Sequence, residues 1–467
     1  MTRIAPVLIV VALAHAVLPA QAPSPAAQHA DKAAEFVQRG DLKNAEAELR
    51  KAVDLSPADP ALLTSLGGIL GMRGDLRQAN LYLSKAVELK PQDPLLLRNL
   101  AANEWQLGRF RDAREHLERL LRANPRDKTA IFLLGMVCEN QKDYARSIAL
   151  IESIPDVAEQ RPEALVALAS SYYHSNRRGD AESALKKLLG RNAKPQVVFM
   201  GGRVAMDARD YALGEELLTA VRSTYSDPAA AASEVALAQY RQGRAADSEK
   251  TLMETVQTGH ANREAYLLLC KVLADRKAYT RALEIAAEAA RAFPDSGEVL
   301  STKGAMEMKL EYYSAAAGTL KKAAAIHPSS ESRRELAVAE WRAGDRRQAI
   351  SEFEDAIRQF PRDARTCEVY GTLLLEDASP ENRARAAAVL KQAVAVDDSS
   401  VEARYQLANL ALEDGNPQAA LEHLEKAVRA APDDSRLHFT LSRVYRRLGR
   451  NSDADREMDN YRRLKKQ

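Results

Sequence analysis

Several things that would mark this chain as an enzyme, a membrane protein or a nucleic-acid binder are missing from it. Three cysteines in 467 residues do not make a disulfide framework. Cys138, Cys270 and Cys367 fall in different copies of the repeat described below, too far apart for the ~5.5 Å Cα separation of a bridge. They read as buried, unreactive thiols even in an oxidising compartment. Aromatic residues are 5% of the chain and runs of β-branched residues are scarce, which argues against a sheet. Lys plus Arg number 67 against 65 acids, a formal charge of +2, with the signs interleaved. A chain so balanced offers nucleic acid no electrostatic footprint, so no nucleic-acid partner is expected. There is no Gly-x-Ser-x-Gly elbow, no phosphate loop and no His-Glu-x-x-His zinc helix. The glycines Gly67, Gly68, Gly71 and Gly74 do not have dinucleotide-binding spacing and follow no strand. The histidines of Glu115-His116 and Glu422-His423 lack a second ligand one turn away and read as surface residues. No catalytic residue, cofactor or metal is expected.

What is present is Ala, Leu, Glu, Arg and Lys, the composition of an all-helical protein. The length would ordinarily mean about three domains, but arrays of small repeats escape that count because each repeat contacts only its neighbours. The N-terminus stands apart. Thr2-Arg3 precedes an apolar run from Ile4 to Leu18, and small residues follow it. That is the form of a secretory signal peptide, assigned here to residues 1–22. The run falls short of the about 20 residues a membrane span needs, so no span is expected in the mature chain, with an uncleaved N-terminal anchor as the alternative. Ala20-Gln21-Ala22 is the obvious cleavage triplet, but Pro23 hinders it and leaves cuts after Ala20 or Ala16 open. Residues 23–29 read as a Pro- and Ala-rich linker. The expected location is exported, either periplasmic or secreted.

The remainder repeats. Gly74 and Gly108 are 34 residues apart, as are Ala79 and Ala113, and Pro91 and Pro125. Projecting that period starts repeats near 26, 60, 94, 128, 162, 195, 229, 263, 297, 330, 364, 401 and 435. The one large shift is a three-residue insertion within Asp377–Asn382. The eighth residue of each repeat is Ala33, Gly67, Ala101, Gly135, Ala169, Gly202, Ala236, Cys270, Gly304, Ala337, Gly371, Ala408 or Ser442. Every one is small, as a close helix crossing demands. Glycines such as Gly40, Gly74, Gly108, Gly243, Gly344, Gly415 and Gly449 stop a first helix. Prolines such as Pro57, Pro91, Pro125 and Pro432 follow a second one. Each repeat is therefore a pair of antiparallel helices of about a dozen residues, stabilised by stacking on its neighbours.

With its small eighth residue, turn glycine, following alanine and terminal proline, the sequence resembles the tetratricopeptide repeat family. The segment from Leu66-Gly67 through Gly74-Asp75, Ala79, Leu83 and Ala86 to Pro91 carries the pattern closely. The resemblance covers residues 26–467: repeats one to four over 26–161, divergent repeats five to seven over 162–262, and repeats eight to thirteen over 263–467. The divergence already begins in the fourth repeat, where Pro155 cuts the second helix short; Gly214 and Ser248 replace the usual alanine further on.

The resemblance implies an all-α solenoid, a right-handed superhelix whose first helices line a concave groove with residues two, five, nine and twelve. Large groups at these places are Trp105, Phe132, Met136, Tyr173, Phe199, Met206, Tyr240, Trp341, Tyr405 and Phe439. They either anchor a partner or pack between adjacent first helices. Arg436, Arg443, Arg446 and Arg447 lie in the last first helix, with Lys465 and Lys466 beyond. They either hold an anionic partner or solvate a terminal cap. The Lys and Asn clamp by which some family members grip a carboxyl terminus is not reproduced, since Arg98 with Ala102 and Phe132 with Met136 hold its places. The acids Glu139, Glu163, Glu264 and Glu298 are spread one per repeat, without the convergence catalysis needs. The function implied is a non-enzymatic scaffold binding proteins or peptides, in envelope, secretion or polysaccharide assembly. The alternative is a chaperone-like receptor for extended polypeptides.

Overall fold

The computed structural model describes residues 24–190, 193–259, 261–377 and 379–466. The signal-peptide assignment therefore lies outside the described residues, apart from which all 27 helices and no strand are seen among them. The chain divides into two compact units, Met1–His260 and Ala261–Gln467. The first holds seven hairpins: Pro25–Gln38 with Leu42–Leu55, Pro60–Met72 with Leu76–Leu89, Pro94–Gln106 with Phe110–Ala123, Lys128–Asn140 with Tyr144–Glu152, Pro162–His174 with Arg178–Leu189, Pro195–Asp207 with Tyr211–Val221, and Pro228–Arg241 with Ala245–Gln257. The second holds six: Arg263–Asp275 with Tyr279–Ala292, Gly297–Lys309 with Tyr313–Ile326, Ser330–Ala343 with Arg346–Gln359, Ala364–Leu374 with Pro380–Val396, Val401–Glu413 with Pro417–Ala430, and Ser435–Arg447 with Asn451–Leu464. Within each unit every hairpin packs on the next, which makes each an α-solenoid.

Local chemistry sets the boundaries. Asp59, Asp93, Asp127, Asp227, Asp363 and Asp434 each cap a first helix, their carboxylates accepting backbone N–H groups of the opening turn. The turn between the two helices needs a left-handed residue, and Gly40, Gly74, Gly108, Gly243, Gly344, Gly415 and Gly449 supply it. Where glycine is missing, Lys142, Asn176, Arg209, Lys277 and Glu311 take the same conformation at φ 57 to 64°. Four of these five have side chains that gain nothing there, and each costs about 1–2 kcal/mol.

The small eighth residue has the physical cause expected of it. A methyl group built on Gly67 would sit 2.7 Å from Leu83 Cγ, on Gly135 2.6 Å from Ile151 Cγ1, on Gly202 2.7 Å from Leu218 Cγ, and on Gly304 2.6 Å from Leu320 Cγ. In every case the obstacle is the apolar residue sixteen places on, in the second helix of the same hairpin. Gly371 meets Leu390 at 2.6 Å, displaced by the three inserted residues. A second cross-link was not legible in the pattern. The fourth and twenty-third residues meet across the hairpin as His29–Glu48 at 2.6 Å, Arg333–Glu352 at 2.9 Å and His438–Glu457 at 2.6 Å.

The stretch read as a linker over residues 23–29 is corrected. From Pro25 onward it is the first turn of a helix, because Ser24 caps it, Pro25 suits the first helical position and Ala26 is buried. Pro155 acts as its position suggests: the helix Tyr144–Glu152 has only nine residues, and Pro155 opens a separate six-residue helix, Pro155–Gln160. In the sixth hairpin Gly214 lies against Met206, and in the seventh the Ser248 hydroxyl is buried without a partner. Cys138, Cys270 and Cys367 are buried and free. Burial raises all three thiols, Cys270 to about 12 and Cys367 to about 11.

Candidate protein-binding groove

In the first unit the large residues at the groove register are mostly covered. Trp105, Phe132, Met136, Phe199 and Met206 are buried, while Tyr173 and Tyr240 are half-buried. Phe132, Phe199 and Tyr173 have local company. The Arg161 guanidinium lies 5.0 Å from the centre of the Phe132 ring, and Phe199 stacks on Tyr225 at 4.1 Å. The Tyr173 hydroxyl donates to Asp210 Oδ2 at 2.9 Å, and burial with this carboxylate raises the phenol above its ordinary range. Four buried side-chain nitrogens of the third hairpin, Arg98 Nε, Asn99 Nδ2, Trp105 Nε1 and Gln106 Nε2, have no acceptor. Arg98 is engaged with the capping Asp127 of the next helix at 2.5 Å.

The second unit is more open. Trp341 is the exception, at 1% exposure. The Arg346 guanidinium covers its ring at 3.9 Å, and its Nε1 donates to Glu376 Oε2 at 3.4 Å. Tyr405 is half-buried with the Arg436 guanidinium 5.2 Å from its ring centre. Phe439 is 39% exposed and tilted against Tyr461 at 5.2 Å.

The four arginines of the last hairpin differ. Arg436 donates to Asp434 and, at 3.2 Å, to Glu402; the Asp434 hydrogen bond raises its pKa. Arg446 lies 3.8 Å from Asp455. Arg447 Nη1 donates to the Leu412 carbonyl at 2.7 Å, tying the last hairpin to the C-terminal turn of the preceding first helix. Arg443 is exposed and has no hydrogen bond or ion pair with any described residue. It opens onto a cavity of about 410 Å³ lined also by Asp377, Arg383, Gln406, Asn409 and Arg447. Leu375, Leu410 and Leu412 give the cavity apolar wall. Arg383 is held by Glu413 at 2.5 Å and Asp414 at 2.6 Å.

The sequence reading had Arg443 but missed Asn409. The signal was available, since Asn409 and Arg443 are 34 residues apart and both ninth in their hairpins, but a groove asparagine carries weight in the sequence only as part of a repeated ladder, and Asn409 stands singly. The reading of His116 and His423 as surface residues is corrected. Both are half-buried within their hairpins: His116 pairs with Glu104 at 2.8 Å, which raises its pKa, and burial with Arg404 lowers that of His423. Among the described residues no cluster of His, Cys, Asp and Glu could hold a metal ion, and no helix is long and apolar enough to cross a membrane.

Comparison with known proteins gives the family. The tetratricopeptide repeat profile matches residues 31–94, 98–164, 199–262, 334–377 and 381–435, and a second profile of the same description matches 411–467. No curated protein sequence matches the chain. Among solved structures it is similar to yeast Tom70, at 16% identity and a TM-score of 0.42, covering 94% of this chain and 92% of that one. It is similar to a chain of the APC/C hetero-tetramer Cut9-Hcn1, at 13% identity and a TM-score of 0.37, covering 90% of this chain and 96% of that one. A tetratricopeptide repeat protein from Parabacteroides merdae is 18% identical with a TM-score of 0.34, over 67% of this chain and 98% of its own. With matched repeats over well more than half its length and paired helices wherever they fall, the chain belongs to the tetratricopeptide repeat family, whose stacked hairpins are protein–protein interaction scaffolds.

Proposed function

We propose that this is an exported scaffold that binds a protein or peptide partner along the groove formed by the first helices of its hairpins, without catalysing a reaction. The observation that carries the reading is a contrast within Ala261–Gln467. The faces between the two helices of a hairpin are sealed by residues such as Leu320, Phe353, Leu390 and Leu424, each 2% exposed or less. Toward the groove, Tyr405, Phe439, Asn409 and Arg443 stay accessible. An aromatic residue left part-exposed beside an unpaired arginine is what a binding surface retains and a packing surface does not. Of the charged groups beside them, Arg383 is paired with Glu413 and Asp414, so they form a structural ion-pair set rather than a poised acid and base. Export rests on the composition of the N-terminal residues, and the fitting setting is an envelope, secretion or polysaccharide-assembly complex.

The test is affinity capture of the tagged chain from the exported fraction of its own cells, with Phe439→Ala and Tyr405→Ala as comparison baits. A stoichiometric partner held by the wild-type chain and lost by both variants is the expected result. A chain retained in the cytoplasm sinks the export reading. A partner held equally by all three baits sinks the groove reading. A heterogeneous set of transient polypeptides in place of one partner means a chaperone-like receptor.

A further inference from the structure

The groove reading leaves open the chemistry of the partner, and the last two hairpins narrow it. We propose that Arg443 and Asn409 form a subsite for the side-chain carboxylate of an Asp or Glu within an extended partner segment. This rests on the groove reading above.

Arg443 has no partner among the described residues, although both signs of charge surround it: Asp377, Glu413 and Arg383 also line the cavity. Those charges are otherwise occupied. Arg383 takes Glu413 and Asp414, and Asp377 accepts from Asn382 at 2.8 Å. Gln406 donates to Glu402 at 2.7 Å, and Arg447 is anchored through Nη1 to the Leu412 carbonyl. The donor side chains at this cavity with no hydrogen bond or ion pair to any described residue are Arg443 and Asn409, which share one register on neighbouring first helices. A planar guanidinium receives a carboxylate through two parallel N–H donors, and an adjacent amide can give a third. The Leu375, Leu410 and Leu412 wall suits an apolar residue beside the acid. Arg447 ties the two helices together, so the backbones that carry Asn409 and Arg443 are held in place while the Arg443 side chain orders on the ligand.

Three probes, each a twelve-residue peptide with a zwitterionic dye, separate the sources of the carboxylate by fluorescence anisotropy. One alternates Leu and Asp with an amidated C-terminus; the second replaces Asp by Asn; the third is the Asn peptide with a free C-terminal carboxylate. The amidated acidic peptide is expected to bind the full chain, and more weakly as salt rises. The amidated Asn peptide is expected to bind at least tenfold more weakly. Arg443→Gln should weaken the acidic peptide about tenfold or more, Asn409→Ala about threefold, and Arg443→Lys by an intermediate factor. Arg443 is exposed, so its variants should keep the wild-type melting temperature. An Arg443→Gln chain that binds like the wild type, or an acidic peptide that does not bind at all, overturns the subsite. Binding of the free-carboxylate Asn peptide alone overturns the side-chain assignment in favour of terminal capture. If Phe439→Ala and Tyr405→Ala abolish binding while Arg443→Gln does not, the groove stands and the subsite falls. If all three bind unchanged, both fall.

Discussion

The ninth hairpin offers a test in which one substitution should have opposite signs at two glycines fourteen residues apart. Gly304 and Gly318 both lie inside helices, and replacing a helical glycine by alanine gains about 0.8–1 kcal/mol from backbone entropy. At Gly318 the added methyl meets nothing within 4 Å. Gly318→Ala should therefore stabilise by about 1 kcal/mol. At Gly304 the methyl would stand 2.6 Å from both Cγ and Cδ2 of Leu320, against the 3.5–4.0 Å of an ordinary carbon contact. Because Cγ is obstructed as well as the tip, turning the tip about Cβ–Cγ does not free the space, and the leucine must leave its rotamer or the helices must separate. Leu320 is 2% exposed, so no solvent gap absorbs the shift. Overpacking of this kind costs about 1–3 kcal/mol. With the entropy gain subtracted, Gly304→Ala should destabilise by up to about 2 kcal/mol, and the two variants should differ by the overpacking cost itself, about 1–3 kcal/mol.

A repeat array of this length need not unfold in one step. The reading should therefore come from hydrogen exchange across Tyr313–Ile326, where local opening is resolved, together with urea midpoints. A cycle with Leu320→Ala isolates the cause: once the leucine is shortened, Gly304→Ala should cost nothing or gain. Stabilisation by Gly304→Ala equal to that of Gly318→Ala would refute the packing account of the whole eighth-residue column.

Three further outcomes are expected. Lys277→Gly and Glu311→Gly, at left-handed turn positions, should each raise stability by about 1 kcal/mol; a lowered midpoint would mean that the side chains hold those turns. Burial, and then the neighbouring Glu352, push the Glu340 carboxyl up to about 7 from 4.5. The native chain thus keeps a proton that the unfolded chain releases, and this contribution to stability is lost as pH rises from about 4.5 through about 7. Glu340→Gln should flatten the fall of melting temperature over that range, and an unchanged slope would assign it elsewhere. Trp341→Ala should cost about 3–5 kcal/mol because the ring is fully enclosed, whereas Phe439→Ala should change the melting temperature little and partner binding strongly. Equal losses of stability would remove Phe439 from the groove surface.

Much of the fold was legible because its determinants are local and recur. The eighth-residue column, the left-handed turn after each first helix and the capping aspartates act within one hairpin, at fixed offsets from residues that the period itself marks. Pro155 could be placed for the same reason. The start of the first helix was misread because proline and alanine were weighed as composition, whereas Ser24 ahead of Pro25 makes them an opening turn. His116 and His423 were misplaced because neither partner, Glu104 nor Arg404, is one turn away along the helix; both stand on the opposite helix of the hairpin.

The sequence by itself determined that the chain is a row of paired helices, where the pairs after the first begin, and which family it belongs to, since backbone conformation and small-residue spacing answer to neighbours a few residues away. Which side chains are offered to a partner was decided only by the tertiary structure. Trp341 and Phe439 both occupy groove positions, the twelfth and the fifth of their repeats, yet one lies under Arg346 and the other stays open. Arg436, Arg446 and Arg447 look equivalent to Arg443 in the sequence, but acids and a carbonyl from other turns and hairpins engage the first three and leave the fourth free. Exposure and charge pairing depend on what the neighbouring elements bring, and no period along the chain encodes that.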